Sequence, residues 1–149
     1  MSTLLEALAP LTAHIATLDL NHPEAATQSL LATFPATQLD AIRALALQTA
    51  DLTPKQATPT LSFGRISKSG LSTSGLSIDA VNMAGDGAAH THPKGEVSLC
   101  FALEGQPRFC GQAGPWVVLP PESHHTPSVI EGRMLIFYWL PEGAMTWSR

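Results

Sequence analysis

Four of the six histidines in this 149-residue chain lie between residues 90 and 125. His90 and His92 are separated by one residue, so on a strand both side chains would point to the same face. Residues 93–95 predict a tight reversal, after which Glu96 begins the returning strand and can face the same space. Two imidazoles and a carboxylate brought together on such a hairpin are typical ligands of a divalent transition metal.

A fourth ligand is expected from a second group of histidines further along the chain. A predicted strand reverses at Pro120 and leaves with the adjacent residues His124 and His125. Adjacent strand residues point to opposite faces, so only one of the two is expected to bind. His14 and His22 lie in or next to predicted helices, and we interpret both as structural or surface residues.

The elements that must position these residues change in kind along the chain. All 11 glycines lie from Gly64 onward, and glycine supplies turns and bulges, so helices are expected first and strands second. A helical segment over residues 1–57 is therefore expected to pack on a barrel over residues 58–149 as one structural domain, with a linker at 53–60. The predicted helices run from a capping box of Thr3 and Glu6 to about residue 18, from Asn21 to about residue 33, and from about Leu39 to just before Pro54.

From residue 61 onward the pattern is typical of short strands between turn signals. Eight such strands predict a small barrel or jelly roll. The fold class is therefore mainly β, a jelly-roll β-barrel preceded by an N-terminal helical segment. The strands are expected at residues 61–66, 71–83, 88–92, 96–104, 107–110, 115–119, 124–130 and 133–140.

The composition argues against several classes of protein. Only 13% of the residues are charged and the net charge is −4, which does not suit a nucleic-acid binder. The longest apolar run, residues 134–140, is far shorter than the about 20 residues that span a bilayer. The N-terminus has no positive lead-in to a secretory signal, and two cysteines, Cys100 and Cys110, cannot form a disulfide framework. A reducing, cytoplasmic setting is expected.

The histidine segments resemble the two motifs of the cupin superfamily. His90-x-His92-x3-Glu96, followed by Gly105, is similar to the first motif, and Gly114-x5-Pro120-x-Glu122-x2-His125 is similar to the second. The spacing from Glu96 to Gly105 is two residues longer than usual, and Glu122 stands where a turn glycine is common.

This resemblance implies a cupin-type jelly roll with a four-residue metal site. Its ligands would be His90, His92, Glu96 and His125, with His124 as an outward neighbour. The cofactor would be a divalent transition metal, and Fe, Mn, Zn and Ni all remain open because the ligand types alone do not choose among them.

Longer stretches resemble the bacterial 4-hydroxylaminobenzoate lyase family, most clearly over residues 90–147. The segments that carry the resemblance are those that begin at Thr91, Trp116 and Gly132. The resemblance implies conversion of 4-hydroxylaminobenzoate to 3,4-dihydroxybenzoate and ammonia, a step of nitroaromatic degradation. The alternatives are a cupin dioxygenase or isomerase acting on a small organic acid, and a non-enzymatic cupin that binds a small ligand.

Strand parity predicts which further residues line the pocket. If Glu96 faces inward, Ser98, Cys100 and Ala102 share its face, whereas Val97, Leu99, Phe101 and Leu103 face the helices. Cys100 is thus a candidate for substrate binding, and the alternative is a small buried core residue. Tyr138 is a catalytic candidate, because a hairpin turn at residues 131–132 would pair it with His125.

A small aromatic carboxylate substrate needs a cationic partner. Arg108 is favoured because it follows the predicted hairpin that ends at Gly105, and Lys94 is an alternative on the ligand hairpin. Arg65 and Arg133 are further candidates, and each of the four could instead be a solvated surface charge. Exposed sheet edges favour a homodimer, and neither a nucleic acid nor a membrane is expected as a partner.

Overall fold

The computed structural model of the protein describes residues 3–49, 61–70, 73–112 and 114–147. Helices come first and strands second, as the glycine distribution predicts. The helices are α1 (Thr3–Ile15), α2 (Pro23–Thr33) and α3 (Ala36–Thr49). The strands are β1 (Leu61–Ser67), β2 (Leu76–Asp86), β3 (His90–His92), β4 (Glu96–Phe109), β5 (Trp116–Leu119), β6 (Ser123–His125), β7 (Ser128–Pro141) and β8 (Thr146–Trp147).

The three helices form where apolar residues recur on one face, and Pro10 lies inside α1. In α1 the side chains of Leu4, Leu8, Leu11 and Ile15 are all buried, so the helix has one apolar face. The second helix begins at Pro23, and its N-cap is His22 rather than the expected Asn21. The side chain of Thr3, the expected linker at 53–60 and the expected boundary at 57/58 lie outside the described residues.

The strands form two sheets that face each other. The larger sheet has the order β1-β2-β7-β4-β5 and the smaller has the order β6-β3-β8. This arrangement confirms the predicted jelly-roll barrel with N-terminal helices. The two-residue strand β8 was not predicted, because its segment carries no alternating pattern long enough to identify it.

Two predicted strand breaks are wrong. The strands predicted at 96–104 and 107–110 merge into the single strand β4 (Glu96–Phe109), and the predicted turn at 131–132 lies inside the continuous strand β7. Gly105 pairs with Gly132 across these strands, and a Cβ on Gly132 would lie 2.0 Å from the carbonyl oxygen of Glu104. The register of the pair also shifts on both sides of Gly105. The glycines therefore mark a bulge at which the backbones approach closely, not two chain reversals.

The larger sheet separates two apolar clusters. The helix-side cluster joins buried residues of all three helices to one face of the sheet, including Val97, Leu99 and Phe101. The site-side cluster lies on the opposite face and includes Cys100, Val117 and Ile136. This division confirms the predicted parity of β4. No helix in the described ranges is long and apolar enough to cross a membrane.

Candidate metal centre

Three histidines meet on the inner face of the smaller sheet. His90 and His92 are two residues apart on β3 and point to the same face. His125 of β6 is the cross-strand partner of His90. Their Nε2 atoms form a nearly equilateral triangle, with separations of 2.9 Å between His90 and His92, 3.0 Å between His92 and His125, and 3.1 Å between His125 and His90. His124 points the other way, where its ring lies 2.9 Å from the Thr91 hydroxyl in an exposed position.

Hydrogen bonding determines which nitrogen of His90 carries the proton. Its Nδ1 lies 2.8 Å from the carbonyl oxygen of Ala88, and a carbonyl can only accept, so Nδ1 donates. In the neutral ring, Nε2 then presents its lone pair to the centre of the triangle. Nδ1 of His125 lies 3.5 Å from Sγ of Cys110, while Nδ1 of His92 is buried with no hydrogen-bond partner among the described residues.

Glu96 completes the group from the opposite sheet. One carboxylate oxygen lies 2.7 Å from Nε2 of His92, and the other accepts a 2.5 Å hydrogen bond from the hydroxyl of Ser98. Burial raises the pKa of Glu96, but its hydrogen bonds with His92 and Ser98 and its charge interactions with His92 and His125 together outweigh burial and leave the pKa below its usual value. The side chain is therefore an anion whose oxygens are both engaged.

The turn at residues 93–95 connects two sheets and does not close a hairpin. β3 pairs with β6 and β8, whereas β4 pairs with β5 and β7, so the predicted hairpin between His92 and Glu96 is wrong. The turn instead carries the chain from one sheet to the other. Gly95 has φ +90°, and a Cβ there would lie 2.8 Å from the carbonyl oxygen of Leu119. Glycine is the residue that permits this close passage.

The donor set fits a divalent transition metal. The ligand atoms of His90, His92, Glu96 and His125 all lie within 4.8 Å of one another. The three Nε2 atoms lie 2.9–3.1 Å apart, close enough for one ion to bond all three at the about 2.0–2.1 Å typical of metal–imidazole contacts. Burial lowers the pKa values of His90 and His125, that of His125 to about 4, so both rings are neutral near pH 7. Converging lone pairs beside a carboxylate favour a bound cation, and the cluster could hold one.

Two of the other predicted site residues lie on the same face as the metal cluster. Cys100 is buried in the site-side cluster, and burial raises the pKa of its thiol well above the usual value. Tyr138 pairs with Ser98 across β4 and β7, not with His125 as the predicted hairpin required. It nevertheless shares the face of Ser98. Burial and the charges of Asp79 and Glu96 raise the pKa of its phenol, which is therefore neutral at ordinary pH.

The favoured cation, Arg108, and its alternative, Lys94, lie away from the cluster. Arg108 is exposed and paired with the exposed Ile130, whereas the next residue, Phe109, is buried beside His125. Adjacent strand positions face opposite ways, so Arg108 is on the outer face. Lys94 forms a 2.6 Å ion pair with Glu142, in which both side chains are more than half exposed.

The structure also shows polar partners that the sequence analysis did not identify. Cys110 contacts His125, and Arg65 of β1 forms a two-point ion pair with Asp79 of β2. Strand periodicity places Asp79 on a face but cannot show which strand lies beside it, so this pair had no local signal.

The two histidines of the helical segment lie apart from the cluster. His14 bonds the Ser29 hydroxyl at 2.9 Å, and the exposed His22 lies 3.6 Å from Asp19, in agreement with structural or surface roles.

The amino-acid sequence of this chain matches a known protein family. The model of the family described as 4-hydroxylaminobenzoate lyase (PnbB) matches residues 15–147. A protein named 4-hydroxylaminobenzoate lyase from Nocardioides sp. (strain LMS-CY) is 33% identical over 67 residues. That match covers 41% of this chain and 38% of the relative, so it spans less than two thirds of the relative's length.

Solved structures are similar in fold. A proposed acetylacetone dioxygenase from Methylibium petroleiphilum PM1 matches with a TM-score of 0.52 and 14% identity, covering 69% of this chain and 78% of that one. An RmlC-like cupin protein from Ralstonia eutropha JMP134 matches with a TM-score of 0.43 and 20% identity, covering 58% and 59%. At these identities the likeness concerns the fold alone. The family match over residues 15–147 goes further, and by it this chain belongs to the 4-hydroxylaminobenzoate lyase family.

Proposed function

We propose that this chain is a metal-dependent lyase that converts 4-hydroxylaminobenzoate and water to 3,4-dihydroxybenzoate and ammonia. The observation that carries the proposal is the group of three histidines and one glutamate, all buried except the partly buried His125, in a chain of this family. The reaction is redox-neutral, because the nitrogen is reduced as the N–O bond breaks while the ring is oxidised. It therefore needs no oxygen molecule.

In this proposal, His90, His92, His125 and Glu96 bind a divalent transition metal. The bound ion would supply a Lewis acid for the hydroxylamino oxygen or a site for a hydroxide nucleophile. The protein holds the His90 ring in place through the carbonyl oxygen of Ala88, and it keeps His92 and Glu96 away from bulk water. These features favour a preorganised site.

Tyr138 is the proposed hydrogen-bond donor. Burial and nearby carboxylates raise the pKa of its phenol, so the phenol keeps its proton and would donate a hydrogen bond to an oxygen or nitrogen that gains negative charge. Ser98 has a different role, since its hydroxyl donates to Glu96 and fixes the orientation of that carboxylate. Cys100 would contact the substrate as a small apolar surface beside the cluster.

Elemental analysis and turnover of the purified protein test this proposal together. We expect about one equivalent of a transition metal and production of ammonia from 4-hydroxylaminobenzoate. A His90→Ala/His92→Ala variant is expected to lose both metal and turnover. His124→Ala is the matched control, because this histidine is next to a ligand but points outward, and it should keep both. Full turnover by metal-free protein would contradict the proposed role of the metal.

An anaerobic assay separates this function from its alternatives. A lyase is expected to run at the same rate with and without oxygen, whereas a dioxygenase would stop when oxygen is removed. A protein that binds the substrate and forms no product under either condition would be a non-enzymatic binding cupin.

The proposal also covers the substrate class, cellular location and oligomeric state of the protein. The chain is proposed to act on a small aromatic carboxylate in bacterial nitroaromatic degradation, in the cytoplasm, as a homodimer and as one structural domain. The net charge of −4 and the small number of cysteines support this setting. Sedimentation analysis would test the dimer.

A further inference from the structure

A row of polar side chains crosses the larger sheet beside the metal cluster. Arg65 pairs with Asp79 across β1 and β2, Asp79 pairs with Tyr138 across β2 and β7, and Tyr138 pairs with Ser98 across β7 and β4. Directly paired residues place their side chains on the same face of a sheet. The Ser98 hydroxyl donates to Glu96, so the row leads from the cluster to the edge strand β1.

The packing of neighbouring residues shows that this row lies on the site side of the larger sheet. Two residues away on the same strands, Cys100 and Ile136 belong to the site-side cluster, and Val81 packs against it. Side chains two apart on a strand share a face, so Ser98, Tyr138 and Asp79 face the interior that holds the ligands.

Arg65 is held in a fixed orientation at the outer end of the row. Its Nε lies 2.8 Å from one carboxylate oxygen of Asp79, and its Nη2 lies 3.3 Å from the other. The Asp79 side chain is 7% exposed, whereas the Arg65 side chain is 46% exposed. The pair engages two of the five N–H donors of the guanidinium, so further donors remain on its accessible side.

The other cations in the described ranges do not lie on this face. Arg133 donates to the side-chain oxygen of Asn82 at 2.8 Å, and Arg43 donates to the carbonyl oxygen of Ala102. Asn82 is next to Val81 on β2 and so faces the opposite side of the sheet. The remaining cations are the exposed Lys68, the ion-paired Lys94 and the outward Arg108. Arg65 is therefore the cation that the described structure places on the site face.

We propose that Arg65, oriented by Asp79, receives the carboxylate of the substrate, whose hydroxylamino end lies toward the metal cluster. This inference rests on the proposed function for its choice of a benzoate-type substrate. It assigns a role in substrate specificity to Arg65 on the edge strand β1. Tyr138 lies in the row between Arg65 and the metal cluster. Fixing the guanidinium before the substrate arrives reduces the entropy lost on binding.

The first experiment measures binding and needs no turnover. Calorimetry with benzoate and benzamide compares an anion with a neutral molecule of the same shape. Wild type is expected to prefer benzoate, and Arg65→Gln should weaken benzoate roughly 10- to 100-fold while changing benzamide little. Arg108→Gln is the matched control on the outer face and should retain the preference. Equal weakening of both ligands by Arg65→Gln, or none, would overturn the assignment.

Two further variants distinguish an anchor from a purely structural ion pair. Arg65→Gln leaves Asp79 buried without its partner, so the double variant Arg65→Gln/Asp79→Asn is included to remove both charges and keep the fold. It should lose the benzoate preference as the single variant does. Asp79→Asn alone keeps the guanidinium charge and should still prefer benzoate over benzamide. If the double variant binds benzoate like wild type, or Asp79→Asn loses the preference while Arg65→Gln keeps it, the proposal is wrong.

Turnover separates failure of this inference from failure of the proposed function. With 4-hydroxylaminobenzoate and its neutral amide, Arg65→Gln should reduce the acid-to-amide ratio of kcat/KM by the same factor as the binding ratio. An active lyase with an unchanged ratio would overturn the role of Arg65 and leave the lyase intact. Benzoate binding through Arg65 in a protein without lyase activity would support the anchor and contradict the proposed function.

Discussion

One buried hydrogen bond connects the helical segment to the centre of the larger sheet. Trp139 of β7 donates from Nε1 to the Thr12 hydroxyl of α1 at 3.0 Å, and Thr12 donates in turn to the carbonyl oxygen of Leu8. Both Thr12 and Trp139 are almost fully buried. Replacing Thr12→Val keeps the shape of the side chain but leaves the indole N–H without an acceptor.

The expected cost follows from that unpaired donor. An unsatisfied buried donor costs about 1–3 kcal/mol, because its hydration is lost without replacement. For a chain of this length each kcal/mol lowers Tm by roughly 2–4 °C. We therefore expect Thr12→Val to lower Tm by about 2–12 °C in differential scanning calorimetry, in a single transition if helices and barrel unfold together.

Thr33→Val provides a matched control for this measurement. The Thr33 hydroxyl also donates to the carbonyl oxygen four residues earlier, at 2.7 Å, but the residue is exposed and accepts no indole N–H. Its effect should stay within about 0.5 kcal/mol. In a Trp139→Phe background, Thr12→Val should lose most of its cost, since no donor remains to be satisfied. Equal effects of the two threonine variants, or an unchanged cost in that background, would refute this account of the bond.

Three further predictions concern the site and the bulge. Metal at about 100 times its Kd should raise the stability of the metal-free protein by about 2.7 kcal/mol and its Tm by roughly 5–11 °C. His90→Ala/His92→Ala should show no such rise in thermal denaturation. Tyr138→Phe should lower kcat at least about 100-fold with little change in KM, and unchanged kinetics would remove the phenol from the mechanism. Gly132→Ala should destabilise by about 3 kcal/mol or more in urea unfolding, since its Cβ would meet the Glu104 carbonyl oxygen, whereas Gly70→Ala, with open space around it, should be neutral.

The sequence predicted which residues share a strand face better than it predicted how the strands connect. Period-two alternation correctly placed Cys100 on one face of β4 and Leu99 on the other, because parity is a local property of a strand. It also placed His90 and His92 together. It could not show that the turn after His92 carries the chain to the opposite sheet, since a short turn between strands looks the same in both cases.

The wrong strand breaks have a common physical origin. Glycine permits both the turns of hairpins and the close backbone approach of bulges, and the two uses leave the same local signal. At Gly105 and Gly132 the glycines lie opposite each other in neighbouring strands, which becomes visible only once β4 and β7 are paired. The inferred pairing of His125 with Tyr138 was wrong for this reason. Tyr138 reaches the site face by a different route, through its pairing with Ser98.

The second motif shows that a residue other than glycine can adopt the backbone conformation of a turn glycine. Glu122 stands where a glycine was expected, and its φ of +66° lies in the left-handed region that glycine adopts easily. The backbone there keeps the expected conformation, and its N–H donates to the carbonyl oxygen of His92 at 2.7 Å. The bend that brings β6 beside β3 is therefore retained without the glycine.

The four candidate ligands are divided between the two sheets, so a bound metal would also affect the stability of the barrel. The smaller sheet consists of strands of three, three and two residues, which are too short to be stable as an isolated sheet. It carries all three histidines, whereas Glu96 and its partner Ser98 belong to the larger sheet. An ion bound to both would replace repulsion among converging lone pairs by bonds that cross the barrel. Binding of the metal and closure of the barrel are therefore expected to stabilise each other, because the same four side chains determine both.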